Sequence, residues 1–246
     1  MDKNIQPPVQ YQKGYTEFYK LKFHLTPDVL IPRPETELLV DEALRTLGSD
    51  RLLKQQDGKG RTLIDIGTGS GCIAISIVKN LKGVRVVATD ISEKALKVAQ
   101  KNSHLHHTDK QILFLQSDLL SWVNPEGLKT NPDIIVANLP YIPTSRLLHI
   151  DPMVSEFEPR LALDGGKDGF ELYRRLFQQV SLLSSQKPAG VATVPPRGWK
   201  PKYLIAEIDD SQAEIALAEV KRFFPKASAE VKKDLAKLNR ILKIKF

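Results

Sequence analysis

Cysteine is almost missing from this sequence of 246 residues, with Cys72 the single example. An internal disulfide is excluded, as is any metal site built on several thiolates, and the chain suits a reducing compartment. No apolar run approaches the about 18 residues of a membrane span. The first ten residues are polar and proline-bearing, without the hydrophobic stretch of a signal peptide. Repeats and low-complexity tracts are lacking too. The trio His104, His106 and His107 has no spaced carboxylate or cysteine cluster beside it, so it is read as a polar helix end and no metal site is expected. What remains is ordinary for a globular protein with a sizeable core: 41% hydrophobic and 26% charged residues. A cytoplasmic enzyme or binding protein follows. The net charge of +7 favours an acidic or nucleic-acid-associated partner. The basic tail over residues 221–245 reads as a solvated face.

Along the chain, Tyr15, Phe18, Leu21, Phe23 and Leu25 alternate loosely with polar residues, which predicts a short hairpin over 16–25. Pro27, Pro32 and Pro34 extend the loop that follows. Pro34, Glu35 and Glu37 then have the composition of a helix start, with an apolar face of Leu38, Leu39, Ala43, Leu44 and Leu47 behind. A βα rhythm begins at Arg61. Strands are predicted over 62–66, 84–89, 112–116 and 134–137, with helices over 72–80 and 93–103. A helix over 169–183, a strand over 203–208, a helix over 212–223 and closing strands over 229–232 and 240–246 complete the chain. Residues 49–61 and 184–202 read as irregular connections. Strands alternating with helices imply a doubly wound α/β fold with a mostly parallel sheet and right-handed crossovers.

Three strand ends carry the chemistry. Asp65-Ile66-Gly67-Thr68-Gly69-Ser70-Gly71 follows the first parallel strand and opens a helix, where glycines allow close backbone approach and free N–H groups await a ligand. No Lys-Ser or Lys-Thr follows, so a Walker phosphate loop is excluded. Asp90 ends the next strand, about twenty residues on, where a carboxylate accepts hydrogen bonds from a ribose diol. Asp118 and Leu119 end the third; Asp118 could meet an adenine amine or merely cap a helix. A nicotinamide dinucleotide or S-adenosylmethionine satisfies these features equally. The fourth strand, Ile134-Ile135-Val136-Ala137, delivers Asn138-Leu139-Pro140-Tyr141: an amide, a rigid proline and a ring, which in isolation is also an ordinary turn.

Together these residues resemble the class I S-adenosylmethionine-dependent methyltransferases, and within them the release factor glutamine methyltransferases. The likeness is carried by Leu30-Ile31-Pro32-Arg33-Pro34-Glu35-Thr36-Glu37, by the glycine loop and by the Asn138 tetrapeptide. It continues through Pro159-Arg160-Leu161-Ala162-Leu163-Asp164-Gly165-Gly166-Lys167-Asp168-Gly169, Glu207-Ile208 with Gln212, and Asp234-Leu235-Ala236 with Arg240. It runs from about position 9 to the end. The first and fourth of these stretches are specific to the family.

The resemblance implies a Rossmann-like domain over residues 34–246, preceded by a hairpin and linker over 1–33, with a sheet closed by an antiparallel strand. It also implies that the chain begins almost at the hairpin that follows the family's N-terminal helical domain, which is taken as absent. It sets S-adenosylmethionine against Gly67, Thr68, Gly69, Ser70 and Gly71, with Asp90 on the ribose, Asp118 and Leu119 at the adenine, and Asn138 on the cofactor side. Asn138, Leu139, Pro140 and Tyr141 would grip the acceptor amide, and Arg33 and Glu35 would flank the substrate. The implied activity is methylation of a glutamine side-chain amide in a peptide chain release factor, by a monomer without direct nucleic-acid binding. Two departures qualify the match: the shortened start, and Leu139, where the family carries proline. Asn-Leu-Pro-Tyr is met in ribosomal RNA adenine dimethyltransferases, so adenine N6 methylation of RNA is the alternative. A cofactor-binding member without turnover is a third reading.

Overall fold

The computed structural model describes residues 5–49, 60–123, 131–185 and 199–246. The predicted connections at 49–61 and 184–202 lie largely outside them. The described chain opens with a one-turn helix, α1 (Val9–Lys13), which the sequence reading lacked. The expected hairpin follows as β1 (Tyr15–Phe18) and β2 (Leu21–His24). Tyr19 and Lys20 form its turn with φ of 50° and 61°. Positive φ at both central residues matches the right-handed twist of the strands. Pro34 starts a 3₁₀ turn that runs into α2 (Glu37–Ser49).

The βα units fall where the sequence placed them: β3 (Arg61–Ile66), α3 (Cys72–Asn80), β4 (Val84–Asp90), α4 (Glu93–Leu105), β5 (Ile112–Gln116) and β6 (Ile134–Ala137). The chain between β6 and the next long helix was unassigned. It contains a 3₁₀ turn over Thr144–His149, the short helix α5 (Pro152–Phe157) and another 3₁₀ turn over Arg160–Ala162. Asp151 caps α5 by accepting from the Met153 N–H at 2.8 Å, with Pro152 in the first turn. The predicted helix at 169 begins two residues later, as α6 (Glu171–Ser185). Gly169, at φ +77°, turns the chain before it. Then come β7 (Tyr203–Glu207), α7 (Ala213–Phe223), β8 (Ser228–Lys233) and β9 (Asn239–Lys245).

The larger sheet has the order β5-β4-β3-β6-β7-β9-β8. β9 runs antiparallel to both neighbours, and the other pairings are parallel. This is the expected mostly parallel sheet with an antiparallel strand at its closing side. The central strand β6 shows why four apolar residues in a row were needed. Ile134 and Val136 enter a core with α2, α3 and the hairpin residues Phe18 and Phe23. Ile135 and Ala137 enter the opposite core with Tyr173, Phe177 and Trp199. Burying each large side chain contributes about 1.5–3 kcal/mol.

Strand order reverses between β3 and β6, and that switch point positions the site. Ile66 pairs with Thr89 on one side and with Ala137 on the other, while Ala137 pairs with Ala206. Gly67, Asp90, Asn138 and Glu207 each follow these paired residues by one, so four strand ends stand level.

Candidate active site

The glycine loop is built by positive φ values of 72° at Gly67, 56° at Gly69 and 82° at Gly71, which L side chains adopt only at a cost. Two N–H groups, of Gly67 and Thr68, donate to the Thr89 carbonyl at 2.8 and 2.9 Å and tie the loop to β4. Beneath it, fully buried Asp65 accepts from the Thr68 hydroxyl at 2.7 Å. Burial pushes the Asp65 carboxyl up to about 7, against the pull of Thr68. Asp90 accepts from the N–H groups of Gly69 and Ser92, each at 2.9 Å. Burial raises its carboxyl, and those N–H groups oppose the rise.

Together with Asp118 and Leu119, this loop opens on a cavity of about 790 Å³, a size that suits a nucleoside-bearing ligand. Leu119 lines it with φ +55°. Asp118 also lines it, but its carboxylate meets Arg175 at 2.5 Å, across the same mouth. A Cβ at Gly69 would meet nothing within 4 Å, so the loop backbone faces open space. Acidic Asp90, apolar Leu119 and exposed loop backbone fit a ribose, a flat base and a charged amino-acid tail. No aromatic side chain lines the cavity among the described residues.

Asn138 stands on the same wall. Its Nδ2 donates to the Thr36 hydroxyl at 3.2 Å, and Oδ1 accepts no hydrogen bond among the described residues. Leu139, 3% exposed, donates its N–H to the Tyr173 hydroxyl at 3.2 Å. That hydroxyl donates in turn to the Glu207 carbonyl. Pro140 lines the cavity. Tyr141 does not: its hydroxyl turns toward Glu207 Oε1 at 3.4 Å, and burial raises its pKa. The hydroxyl end of Tyr141 thus meets buried Glu207 beside the tetrapeptide.

Two further stretches brace this corner. Gln212 Nε2 donates to the carbonyls of Tyr141 and Gly169 at 3.1 and 2.9 Å. Gly165 is wedged so tightly that a Cβ would lie 2.7 Å from the Pro140 and Gly169 oxygens and 2.8 Å from Tyr141 Cα. Arg33 lines the cavity and pairs with buried Glu158, whose other oxygen accepts from the Ile31 N–H at 3.1 Å. Glu35 is exposed and off the cavity wall, so the structure does not bring it to the other candidates. Sequence reasoning missed Thr36, Tyr173, Glu158 and Asp65 as site builders. Glu207 was visible only through the family resemblance, with Ile208 and Gln212 and without a role of its own.

Among the described residues no helix is long and apolar enough to cross a membrane. The family model of ribosomal protein L11 methyltransferase matches residues 46–155. Of solved structures, the human METTL16 catalytic domain in complex with an RNA hairpin superposes with a TM-score of 0.67 at 15% identity, covering 93% of this chain and 76% of that one. A ribosomal protein L11 methylase from Lactobacillus delbrueckii subsp. bulgaricus gives 0.54 at 19% identity, covering 89% and 82%. At such identities these share the fold alone. Curated relatives named release factor glutamine methyltransferase are nearer in sequence. The Geobacter sulfurreducens protein is 37% identical over 87% of this chain and 65% of its own length. The Bacteroides thetaiotaomicron one is 43% identical over 69% and 56%. The chain thus spans less than two thirds of those two relatives. The Bacillus cereus protein is 33% identical over 96% of this chain and 75% of its own length. On that breadth of match, the chain belongs to the release factor glutamine methyltransferase family.

Proposed function

We propose that this chain is a protein-glutamine N5-methyltransferase, moving a methyl group from S-adenosylmethionine to the side-chain amide nitrogen of a glutamine in a peptide chain release factor. The observation that carries it is Asn138: an amide oxygen without a hydrogen bond among the described residues, on the wall of the cavity that the glycine loop and Asp90 also line. Residues 67–71 would hold the amino-acid portion of the cofactor, Asp90 its ribose, and Asp118 and Leu119 its adenine. When bound, the cofactor supplies an electrophilic sulfonium methyl.

The protein's contribution is placement. A primary amide nitrogen is a poor nucleophile, because its lone pair is delocalised into the carbonyl. Asn138 Oδ1 and the Leu139 carbonyl accept its two N–H bonds and fix its plane. Pro140 limits backbone freedom, and the Tyr173 hydroxyl holds the Leu139 N–H from behind. Near-attack placement of this kind can account for about 7–11 kcal/mol of barrier. No general base is assigned, since the proton can leave to water after transfer. Arg33, at the cavity edge, would flank the peptide; Glu35, on the exposed side, would touch it only outside the cavity.

The division into a hairpin and linker over 1–33 and a catalytic domain over 34–246, and action as a cytoplasmic monomer, belong to the same proposal. Adenine N6 methylation of RNA is favoured by Leu139 and, more weakly, by the net charge of +7. It is opposed by the cavity wall, where no described residue offers an aromatic platform on which an extruded base would stack. Incubating labelled S-adenosylmethionine with a release factor and with ribosomal RNA tests the proposal. Label should enter the release factor and vanish with Asn138→Ala. Label in RNA alone, or label undiminished in that variant, overturns it; cofactor binding without any label supports the third reading, a member without turnover.

A further inference from the structure

We propose that Asn102, which lies off the cavity, is a positioning residue for the cofactor: its buried amide locks the glycine loop to the hairpin. The inference rests on the reading of that loop as the cradle of S-adenosylmethionine, and not on the identity of the methyl acceptor. Asn102 sits on α4 three residues after Ala99, and both are 0% exposed. Residues at that spacing share a helix face. The face is pressed against the loop, since a Cβ on Gly71 would lie 3.2 Å from Ala99 Cβ and 3.3 Å from its Cα. An amide at a fully buried helical position is costly unless its polar atoms are matched. Here they are matched. Oδ1 accepts the His24 N–H at 2.7 Å, and Nδ2 donates to the carbonyls of His24 and Ser70 at 3.0 and 2.9 Å. One donor and two acceptors around it leave the amide a single orientation.

The pair of bonds to His24 holds the end of β2 and, taken alone, describes a structural strap. The third bond reaches the site. The peptide joining Ser70 to Gly71 is held at both edges, its oxygen by Asn102 and its N–H by the Thr68 carbonyl at 2.8 Å. That plane sets the entry to α3, where Cys72 and Ile73 line the cavity and the first-turn N–H groups lack helical partners. On the other side, His24 leads into Leu25, Val29 and Ile31, which pack on Ala95 and Val98 of α4. Pro27, Val29 and Leu30 line the cavity as well. One amide therefore registers two parts of the cavity wall that come from distant stretches of chain. Without it the cofactor would have to order both on binding, and affinity would fall by that cost.

The test is calorimetric titration of the full chain with S-adenosylmethionine, wild type against Asn102→Ala and Asn102→Asp. Alanine removes all three bonds, while aspartate keeps an acceptor for the His24 N–H and loses both donors. Each variant should bind the cofactor about tenfold more weakly, the size of one ordinary hydrogen bond. With release factor as acceptor, the loss should fall in the KM for S-adenosylmethionine, with kcat at saturation within about twofold of wild type. A merely structural strap would lower the thermal midpoint and leave the affinity of the folded chain unchanged; that result overturns the proposal. A measurement on the wild type covers variants that do not fold. Coupling is reciprocal, so saturating cofactor should slow hydrogen exchange at the His24 amide at least about fivefold more than at the β8 amides, at the far edge of the sheet. Equal slowing at both places overturns the proposal. A wild type that binds no S-adenosylmethionine defeats the cofactor reading and the proposal with it. Unlabelled release factor with the binding results intact defeats the acceptor reading alone, and the role of Asn102 stands.

Discussion

Replacing Tyr173 with phenylalanine should loosen the active-site corner while leaving its core intact. The ring packs against Phe170 and Phe177 at centroid distances of 5.2 and 6.4 Å, contacts that phenylalanine keeps. Only the hydroxyl is lost, and with it the partner of the buried Leu139 N–H and the donor to the Glu207 carbonyl. A buried donor left unpaired costs about 1–3 kcal/mol. A central value of about 2 kcal/mol would lower the thermal midpoint by roughly 4–8 °C in a chain of this size. Leu139→Pro supplies the control, because proline has no N–H to strand. Urea unfolding of the wild type, both single variants and the double should reveal a coupling of about 1 kcal/mol or more. In the Tyr173→Phe background the proline substitution should then cost less than it does alone. A Tyr173→Phe loss below about 0.5 kcal/mol, or strictly additive losses, would refute the assignment of that hydroxyl to the Leu139 N–H.

Gly165→Ala should destabilise the fold by about 3 kcal/mol, since the new methyl meets backbone atoms that cannot step aside; a urea midpoint within error of the wild type would contradict the close packing. Asp65 gives a pH signature. Its folded-state carboxyl lies at about 7, above the unfolded value, so the native chain holds a proton that the unfolded chain has released. This group therefore costs no stability at low pH and erodes it as the pH climbs from about 4 to about 7. Asp65→Asn should flatten that slope, measured as the urea midpoint at pH 5 and pH 7; an unchanged slope would reject the burial of a neutral acid. For the cofactor, Asp90→Asn should weaken S-adenosylmethionine binding about tenfold, equivalent to about 1.4 kcal/mol. Asp118→Asn should change it less, because Arg175 already engages that carboxylate. Calorimetry giving the opposite order would make Asp118 the stronger cofactor contact and refute the screening of its carboxylate by Arg175.

The parts legible in the sequence were those written in local pattern. The four apolar residues of β6, the glycines before α3 and the acids ending β4 and β5 each declare a strand, a loop or a strand end within a few positions. Parallel order follows from the βα alternation, and the level strand ends follow from both. The second layer of the site was illegible for a physical reason. Thr36 reaches Asn138 across 102 residues and Tyr173 reaches Leu139 across 34, and neither partner carries a mark of the other. The contact of the Tyr141 hydroxyl with buried Glu207 was illegible likewise, because only the folded chain brings that carboxyl near. The short helix α5 did carry a signal, Asp151 followed by Pro152, but one capped turn is too brief to show a helical period.

The absence of a side chain at Gly165 has a mechanical meaning. With Pro140, Tyr141 and Gly169 in contact across a space smaller than one methyl group, the tetrapeptide and the loop behind it have no room to slide independently. They form a single jaw of the site, made from segments about 25 residues apart in sequence. A change of acceptor achieved by altering the tetrapeptide alone would therefore push against an immovable backing. Reshaping this site for another acceptor, or exchanging these loops between relatives, requires the two segments to be transplanted as a matched pair.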